Sequence, residues 1–233
     1  HMSPVTHRDT MDFFLVKARA RVLQETTYDG WLKVSKSFEN ELKRHPAGYS
    51  LVATQYGLSV AYAKMNQKDK ALTAIRAAKA ASKENSVILD KHLAELTYQV
   101  AKTQAQKDQA LALAKSTCNQ YPYSGLAASN YVELLFQSGK HQELVNYLRN
   151  QSALSRSNPD YHMYLARSYE ALGKKSMAFA ATGDMYALLD NPRAAVYQFE
   201  LAQKANDGDF YIMSEIDAKL REQRQKVLDQ KKD

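Results

Sequence analysis

Apolar residues in this chain recur at helical spacing, as in the pairs Leu58 and Tyr62 or Leu165 and Tyr169. Residues four positions apart share one face of a helix. No segment shows the alternation of apolar and polar residues that a half-buried strand requires. Breakers such as Gly139 separate the apolar segments. Helices are therefore predicted near 9–25, 29–44, 49–65, 68–83, 86–102, 106–120, 124–138, 141–154, 159–172, 174–189, 192–205 and 208–228.

The same grouping of residues returns along the chain. A large apolar or small residue and an aromatic stand in one helix, and a small residue opens the next. The three best matches are Leu58-Ser59, Tyr62, Ala71 and Ala78; Leu165-Ala166, Tyr169, Gly173 and Ala178; and Gly183, Tyr186, Ala195, Phe199 and Ala202. Positions 71, 110, 144 and 178 are 39, 34 and 34 residues apart, close to the 34-residue tetratricopeptide period. The sequence predicts an all-α fold, a tetratricopeptide-repeat α-solenoid of about 12 antiparallel helices.

The repeat pattern also predicts how the chain is organised. His1-Met2 has the form of a cloning remnant, so residues 1–8 are interpreted as tag and linker, 9–207 as repeats, and 208–233 as a capping helix with a polar tail. Ala178 and Ala195 are only 17 residues apart, half a repeat. The helix near 174–189 is therefore predicted to close one unit and open the next.

Repeat geometry turns certain positions of each first helix toward the inner, groove-forming face. The residues at these positions are predicted to bind a partner: Tyr56, Lys64, Gln99, Glu133, Arg167 and Glu170. The other tyrosines of the repeat pattern are interpreted as packing residues. A groove between helices suits an extended or helical peptide.

Composition and charge bear on which classes of partner are expected. The formal charge is +7, but Lys and Arg are interleaved with Glu and Asp, which is typical of a solvated helix face. Nucleic acid is therefore not expected as a partner. No apolar stretch is long enough to span a membrane. An RNA-binding helical repeat stays open as an alternative, and it predicts a steep loss of affinity with salt.

Catalytic motifs are missing from the sequence. There is no H-E-x-x-H, phosphate-binding loop or nucleophile elbow, so neither catalysis nor a cofactor or metal site is expected in this chain. His92 and Glu95 share a helix face and are interpreted as surface hydrogen bonding. Asp207 and Asp209 flank Gly208 and are interpreted as a turn and helix cap. Cys118 is predicted to be a small core residue.

Both ends of the chain resemble one family. Met11–Val22 (MDFFLVKARARV) resembles the segment that follows the protease domain in bacterial periplasmic zinc metalloproteases of the β-barrel assembly-enhancing type. Gly208–Tyr211 (GDFY) and Ser214–Glu222 (SEIDAKLRE) resemble the closing helix of that family. The catalytic domain with its H-E-x-x-H helix is absent from these residues, so no zinc ligand carries over to them.

The resemblance implies a function for a larger parent protein. It implies a zinc-containing metalloendopeptidase in the Gram-negative periplasm, acting in outer-membrane protein assembly and protein quality control. This chain would dock the assembly machinery, misfolded outer-membrane proteins or its own protease domain. The alternative is a stand-alone tetratricopeptide scaffold or adaptor without a protease.

Overall fold

The computed structural model describes residues 5–151 and 156–233, and the described part is helical with no strand. Twelve helices are delimited in these ranges. They are α1 (Val5–Leu23), α2 (Tyr28–Leu42), α3 (Gly48–Lys64), α4 (Lys68–Ala81), α5 (Val87–Val100), α6 (Gln104–Gln120), α7 (Gly125–Gln137), α8 (His141–Arg149), α9 (Pro159–Ala171), α10 (Lys175–Leu188), α11 (Pro192–Ala205) and α12 (Phe210–Lys231). The predicted fold class, an all-α tetratricopeptide-repeat solenoid, is confirmed.

Side-chain caps explain where several helices begin. The Thr103 hydroxyl oxygen accepts a hydrogen bond from the backbone N–H of Gln106, and the Gln106 side-chain oxygen accepts one from the backbone N–H of Thr103, which forms a capping box for α6. Asn158 and Asn191 cap α9 and α11, each followed by proline at the first helical position. Proline loses nothing there, because its missing N–H would have no partner in the helix.

The chain divides into two compact units, unit 1 up to Leu134 and unit 2 from Leu135 to Asp233. In unit 1, buried side chains from α1 to α5 form one core, with Leu15, Phe38, Leu58, Ile75 and Leu96 each at most 3% exposed. In unit 2, α10 packs against both α9 and α11, and Phe199 and Leu220 belong to the core there.

Small residues allow neighbouring helices to approach closely, as the repeat pattern predicted. Ala71, Ala78, Ala195 and Ala202 are completely buried. A Cβ atom on Gly183 would lie 2.7 Å from Cε1 of Phe199, so this helix pair packs an aromatic ring directly against a bare backbone. Gly57 meets the ring of Phe38 in the same way in unit 1.

Several predicted helix ends were wrong by two or more residues, among them the start of α1, which lies at Val5 and not at residue 9. The helix predicted at 141–154 ends at Arg149, and Asn150 forms a turn. Residues 152–155 of the predicted helix lie outside the described residues. The last helix starts at Phe210 and not at 208, because the Asp209 side chain accepts a hydrogen bond from Ile212 N and so caps the helix. Predicted caps at Asp207 and Asp209 are confirmed.

Asp207 caps a helix that is distant in sequence. Its carboxylate accepts hydrogen bonds from the backbone N–H groups of Lys175 and Ser176, both at 2.8 Å, at the start of α10, whose own preceding residue Lys174 provides no side-chain cap. Hydrogen bonds from Ser176, then Lys175, hold the pKa of Asp207 below its usual value of 3.8, although partial burial opposes the shift. The loop after α11 thereby stabilises α10.

Removing this cap is expected to destabilise the chain measurably. Asp207→Ala should lower the free energy of unfolding by about 1 kcal/mol at pH 7, measured by urea denaturation. A carboxylate with a depressed folded pKa stabilises above its unfolded pKa, and this contribution is lost as pH falls through the folded value. The difference between the two proteins should therefore shrink progressively as the pH falls below 3.8. Asp229→Ala, at the exposed end of α12, is the control; an equal loss there would contradict the cap.

No helix in the described ranges is long and apolar enough to cross a membrane.

Candidate functional site

Unit 1 contains a groove between the helices that open its repeats. The cavity has a volume of about 340 Å³, within the size of ligand pockets. We call it the α1/α3/α5 groove. Its lining residues are Val16, Arg19 and Leu23 on α1; Tyr56, Val60, Ala63 and Lys64 on α3; Ile88, Lys91, His92, Glu95 and Gln99 on α5; and Leu126 on α7.

Three of the six predicted binding residues meet in this groove: Tyr56, Lys64 and Gln99. Tyr56 is 2% exposed and forms the floor, whereas Lys64 and Gln99 are exposed. The inward-facing positions of α3 and α5 therefore converge as repeat geometry predicted. Whether they bind a partner stays a prediction.

The other three predicted residues lie elsewhere. Glu133 is half-buried on α7. Arg167 on α9 is exposed, with its guanidinium 6.0 Å from the centre of the Phe136 ring, and Glu170 is exposed on the same helix. None of the three lines the α1/α3/α5 groove, so the structure divides the predicted set into a convergent half and a dispersed half.

A hydrogen-bonded chain fixes the floor of the groove. The Ser59 hydroxyl donates its proton to the carbonyl oxygen of Ala71 at 2.7 Å. Its oxygen lies 3.0 Å from Nε2 of His92, so it accepts a hydrogen bond from that nitrogen, which must carry the ring proton. The imidazole then packs edge-on against Tyr56, with ring centres 5.5 Å apart.

The surface interpretation of His92 was wrong. His92 is 9% exposed, because α5 turns it toward α3 and not toward solvent. Burial, the largest effect, lowers its pKa to about 4, with Glu95 opposing the shift and Lys91 and Arg19 adding to it. The imidazole is therefore neutral at pH 7. Sequence reasoning missed this residue because its burial depends on the contact between α3 and α5.

Four charged residues line the groove. Lys91 forms an ion pair with Glu95 at 2.7 Å, and both side chains are partly buried. Arg19 interacts with the Tyr56 hydroxyl; burial raises the pKa of Tyr56, and the charge of Arg19 opposes the rise. In the described part of the chain no ion pair is formed by Arg19 or Lys64. The groove therefore carries two cations that no carboxylate neutralises.

Apolar side chains at the edge of the groove remain exposed. Val16 is 56% exposed, Leu23 44% and Leu126 39%. Exposed apolar side chains grouped around a cavity are typical of interaction sites. Sequence reasoning did not predict this wall of α1, because α1 lacks the small-residue signature of the repeats. The spacing of Val16, Arg19 and Leu23 along one helix face is the sequence feature that could have predicted this wall.

Unit 2 has a wider groove of about 900 Å³ between α9, α10 and α12. Its charges are largely satisfied internally: Lys219 pairs with Asp184 at 2.9 Å and with Glu215 at 3.2 Å. The Arg156 guanidinium donates to the carbonyl oxygen of Arg149. These charged groups therefore already have partners within unit 2.

No group of three or more His, Cys, Asp or Glu side chains in the described part of the chain is arranged to hold a metal ion. Cys118 is buried and donates to the carbonyl oxygen of Ala127 at 3.3 Å, in agreement with its interpretation as a core residue.

No protein-family model matches the chain, and no curated protein matches it either. Solved structures do resemble it. PilW, described as a widely conserved type IV pilus biogenesis factor, is 16% identical with a TM-score of 0.59, over 94% of this chain and 98% of that one. MamA, in the structure described as MSR-1 C2, is 16% identical with a TM-score of 0.54, over 78% of this chain and 97% of that one. These likenesses establish the fold that the repeat spacing predicted.

Proposed function

We propose that this chain is a non-catalytic scaffold that binds a segment of another polypeptide in the α1/α3/α5 groove. The observation that carries the proposal is the convergence of Tyr56, Lys64 and Gln99 on one cavity with exposed apolar edges. A groove walled by helix faces accepts an extended strand or a helix. The rigid floor fits this role, because its polar groups are already held in place.

A polypeptide suits this surface better than a nucleic acid. Non-specific nucleic-acid binding depends on many phosphate contacts from Lys and Arg. Of the three cations in the groove, Lys91 is neutralised by Glu95. The remaining surface is built mainly from aliphatic side chains such as Val16 and Leu23. Aliphatic side chains form neither ion pairs nor hydrogen bonds with phosphate groups.

A second proposal concerns the role of this scaffold within a larger protein. The resemblance of Met11–Val22 and Ser214–Glu222 to the periplasmic zinc metalloproteases supports a docking domain for such a protease and its outer-membrane assembly partners. The catalytic zinc would then be held by the protease domain. PilW supports the stand-alone alternative, since this fold alone accounts for 98% of that chain.

The two alternatives separate at the gene. A reading frame that encodes an H-E-x-x-H domain upstream of residue 3 would support the docking domain. A frame without one would leave the stand-alone scaffold.

Peptide binding itself is tested with a displayed library. Twelve-residue random peptides would be selected on this chain, and the affinity of the enriched peptides measured by fluorescence polarisation. Val16→Lys, at the groove edge, should weaken binding roughly ten-fold, because anchor contacts of an interface typically contribute more than ~1 kcal/mol each.

Leu113→Lys is the matched control. Leu113 is 39% exposed on α6 and lies outside the groove, so it adds the same charge on another face. Affinity should be unchanged. If both variants bind the peptides as the parent chain does, or if no peptide is enriched, the groove is not the binding site.

A further inference from the structure

We propose that the α1/α3/α5 groove selects a peptide segment with an acidic side chain between two large apolar side chains, and that Arg19 binds the carboxylate. The inference rests on the proposed function and assigns the chemistry of its ligand. It also assigns the main recognition contact to a residue on α1 that the repeat pattern did not single out.

The charge balance of the groove points to an anion. Arg19 and Lys64 form no ion pair within the described residues, whereas Glu95, the single carboxylate of the lining, is held by Lys91 at 2.7 Å. A bound carboxylate would therefore meet two free cations. Guanidinium suits this role best, because its planar fork binds a carboxylate through two parallel hydrogen bonds.

The floor directs this recognition to Arg19. The Nε2–H group of His92 is used by Ser59, and the Ser59 hydroxyl is used by Ala71. Neither is available to a ligand. The hydroxyl of Tyr56 interacts with Arg19. Arg19 itself is exposed and lines the cavity, so it is the floor's cationic neighbour that a ligand can reach.

Spacing on α1 defines the apolar neighbours. Val16, Arg19 and Leu23 lie three and four residues apart on one helix face, which corresponds to rises of about 4.5 and 6 Å. An extended peptide places side chains of one face about 6.6 Å apart. A segment with the pattern apolar–x–acidic–x–apolar therefore meets Val16, Arg19 and Leu23 in the same order, with its outer side chains reaching about 2 Å beyond Val16 and about 0.6 Å beyond Leu23.

The same order favours an internal acidic residue over a chain end. A peptide whose C-terminal carboxylate bound Arg19 would end there, so either Val16 or Leu23 would have no peptide side chain in contact with it. Val16 and Leu23 are both more than 40% exposed, on opposite sides of the guanidinium along α1. An uninterrupted segment covers both.

The test compares library selections on three chains: the parent, Arg19→Glu, and the control Lys115→Glu. Lys115 is exposed on α6, outside the groove, and its substitution makes the same charge change. Peptides enriched on the parent and on Lys115→Glu should carry Asp or Glu flanked by apolar residues. Peptides enriched on Arg19→Glu should carry Lys or Arg at that position.

Synthetic peptides with both ends blocked complete the test. Replacing the acidic residue by its amide should weaken binding to the parent at least ten-fold, as for a charged hydrogen bond, and should change binding to Arg19→Glu much less. A free C-terminal carboxylate that restores the affinity of the amide peptide would overturn the assignment to an internal residue.

The outcomes separate the two proposals. If enriched peptides lose affinity with Val16→Lys but show no acidic preference, the groove binds peptides and the charge assignment is wrong. If Val16→Lys has no effect, the proposed function fails, and with it this inference.

Discussion

Phe38→Ala should lower the free energy of unfolding of unit 1 by about 3–5 kcal/mol, the cost of deleting a buried ring from a packed core. Phe38 is 1% exposed and presses its ring against the backbone of Gly57. The guanidinium of Arg21 lies 4.1 Å from the ring centre and loses its aromatic contact in the variant. Removing the ring leaves a cavity, and Gly57 has no side chain that could move to fill it.

Urea denaturation monitored by circular dichroism measures this effect. Tyr123→Ala is the control, because Tyr123 is 99% exposed and its loss should change stability by less than ~0.5 kcal/mol. The denaturation curve of Phe38→Ala is expected to shift to a lower urea concentration, because the core that α1 to α5 share is weakened. A loss below ~1 kcal/mol for Phe38→Ala would contradict the described packing of α2 on α3.

Acid should destabilise unit 1 through His92. Burial lowers the pKa of His92 from 6.5 to about 4, so between these values the unfolded chain binds a proton that the folded chain does not. Stability then falls as pH falls, by about 1.4 kcal/mol per pH unit. The expected loss between pH 6.5 and pH 4 is roughly 3 kcal/mol.

Denaturation curves at pH 7, 6, 5 and 4 test this expectation. His92→Gln keeps an amide N–H for Ser59 and cannot take up the proton, so the slope between pH 6.5 and 4 should flatten. His45→Asn is the control: His45 is exposed at a φ of 53°, and asparagine tolerates this left-handed conformation. Equal slopes for all three proteins would show that His92 is not buried in its neutral form.

Repeat spacing predicted much of this architecture for a physical reason. Alanine at 71, 78, 195 and 202 and glycine at 183 are needed wherever two helices approach closely, so their positions mark the helix pairs. The same spacing determines which residues face inward, and it brought Tyr56, Lys64 and Gln99 to one groove. Helix ends were harder, because Asp209 and Asn150 act through caps and turns that periodicity does not detect.

The features that the sequence did not predict depend on contacts between helices. Arg19 lies on a helix that precedes the first recognisable repeat, and its role depends on Tyr56, 37 positions further along the chain. His92 looks solvent-facing on α5 alone, and only contact with Ser59 on α3 buries it. Glu133, Arg167 and Glu170 occupy inward-facing positions of other repeats, on helices that line the α1/α3/α5 groove through none of these three residues.

The central claim is that the α1/α3/α5 groove binds a peptide. The most direct measurement is an NMR titration of the isotope-labelled chain with a library-selected peptide whose ends are blocked. We expect the largest shift changes at Arg19, Tyr56 and Gln99, and we expect Val16→Lys to need roughly ten-fold more peptide to reach changes of the same size. Changes confined to α2, α4 and α6, or to unit 2, would contradict it.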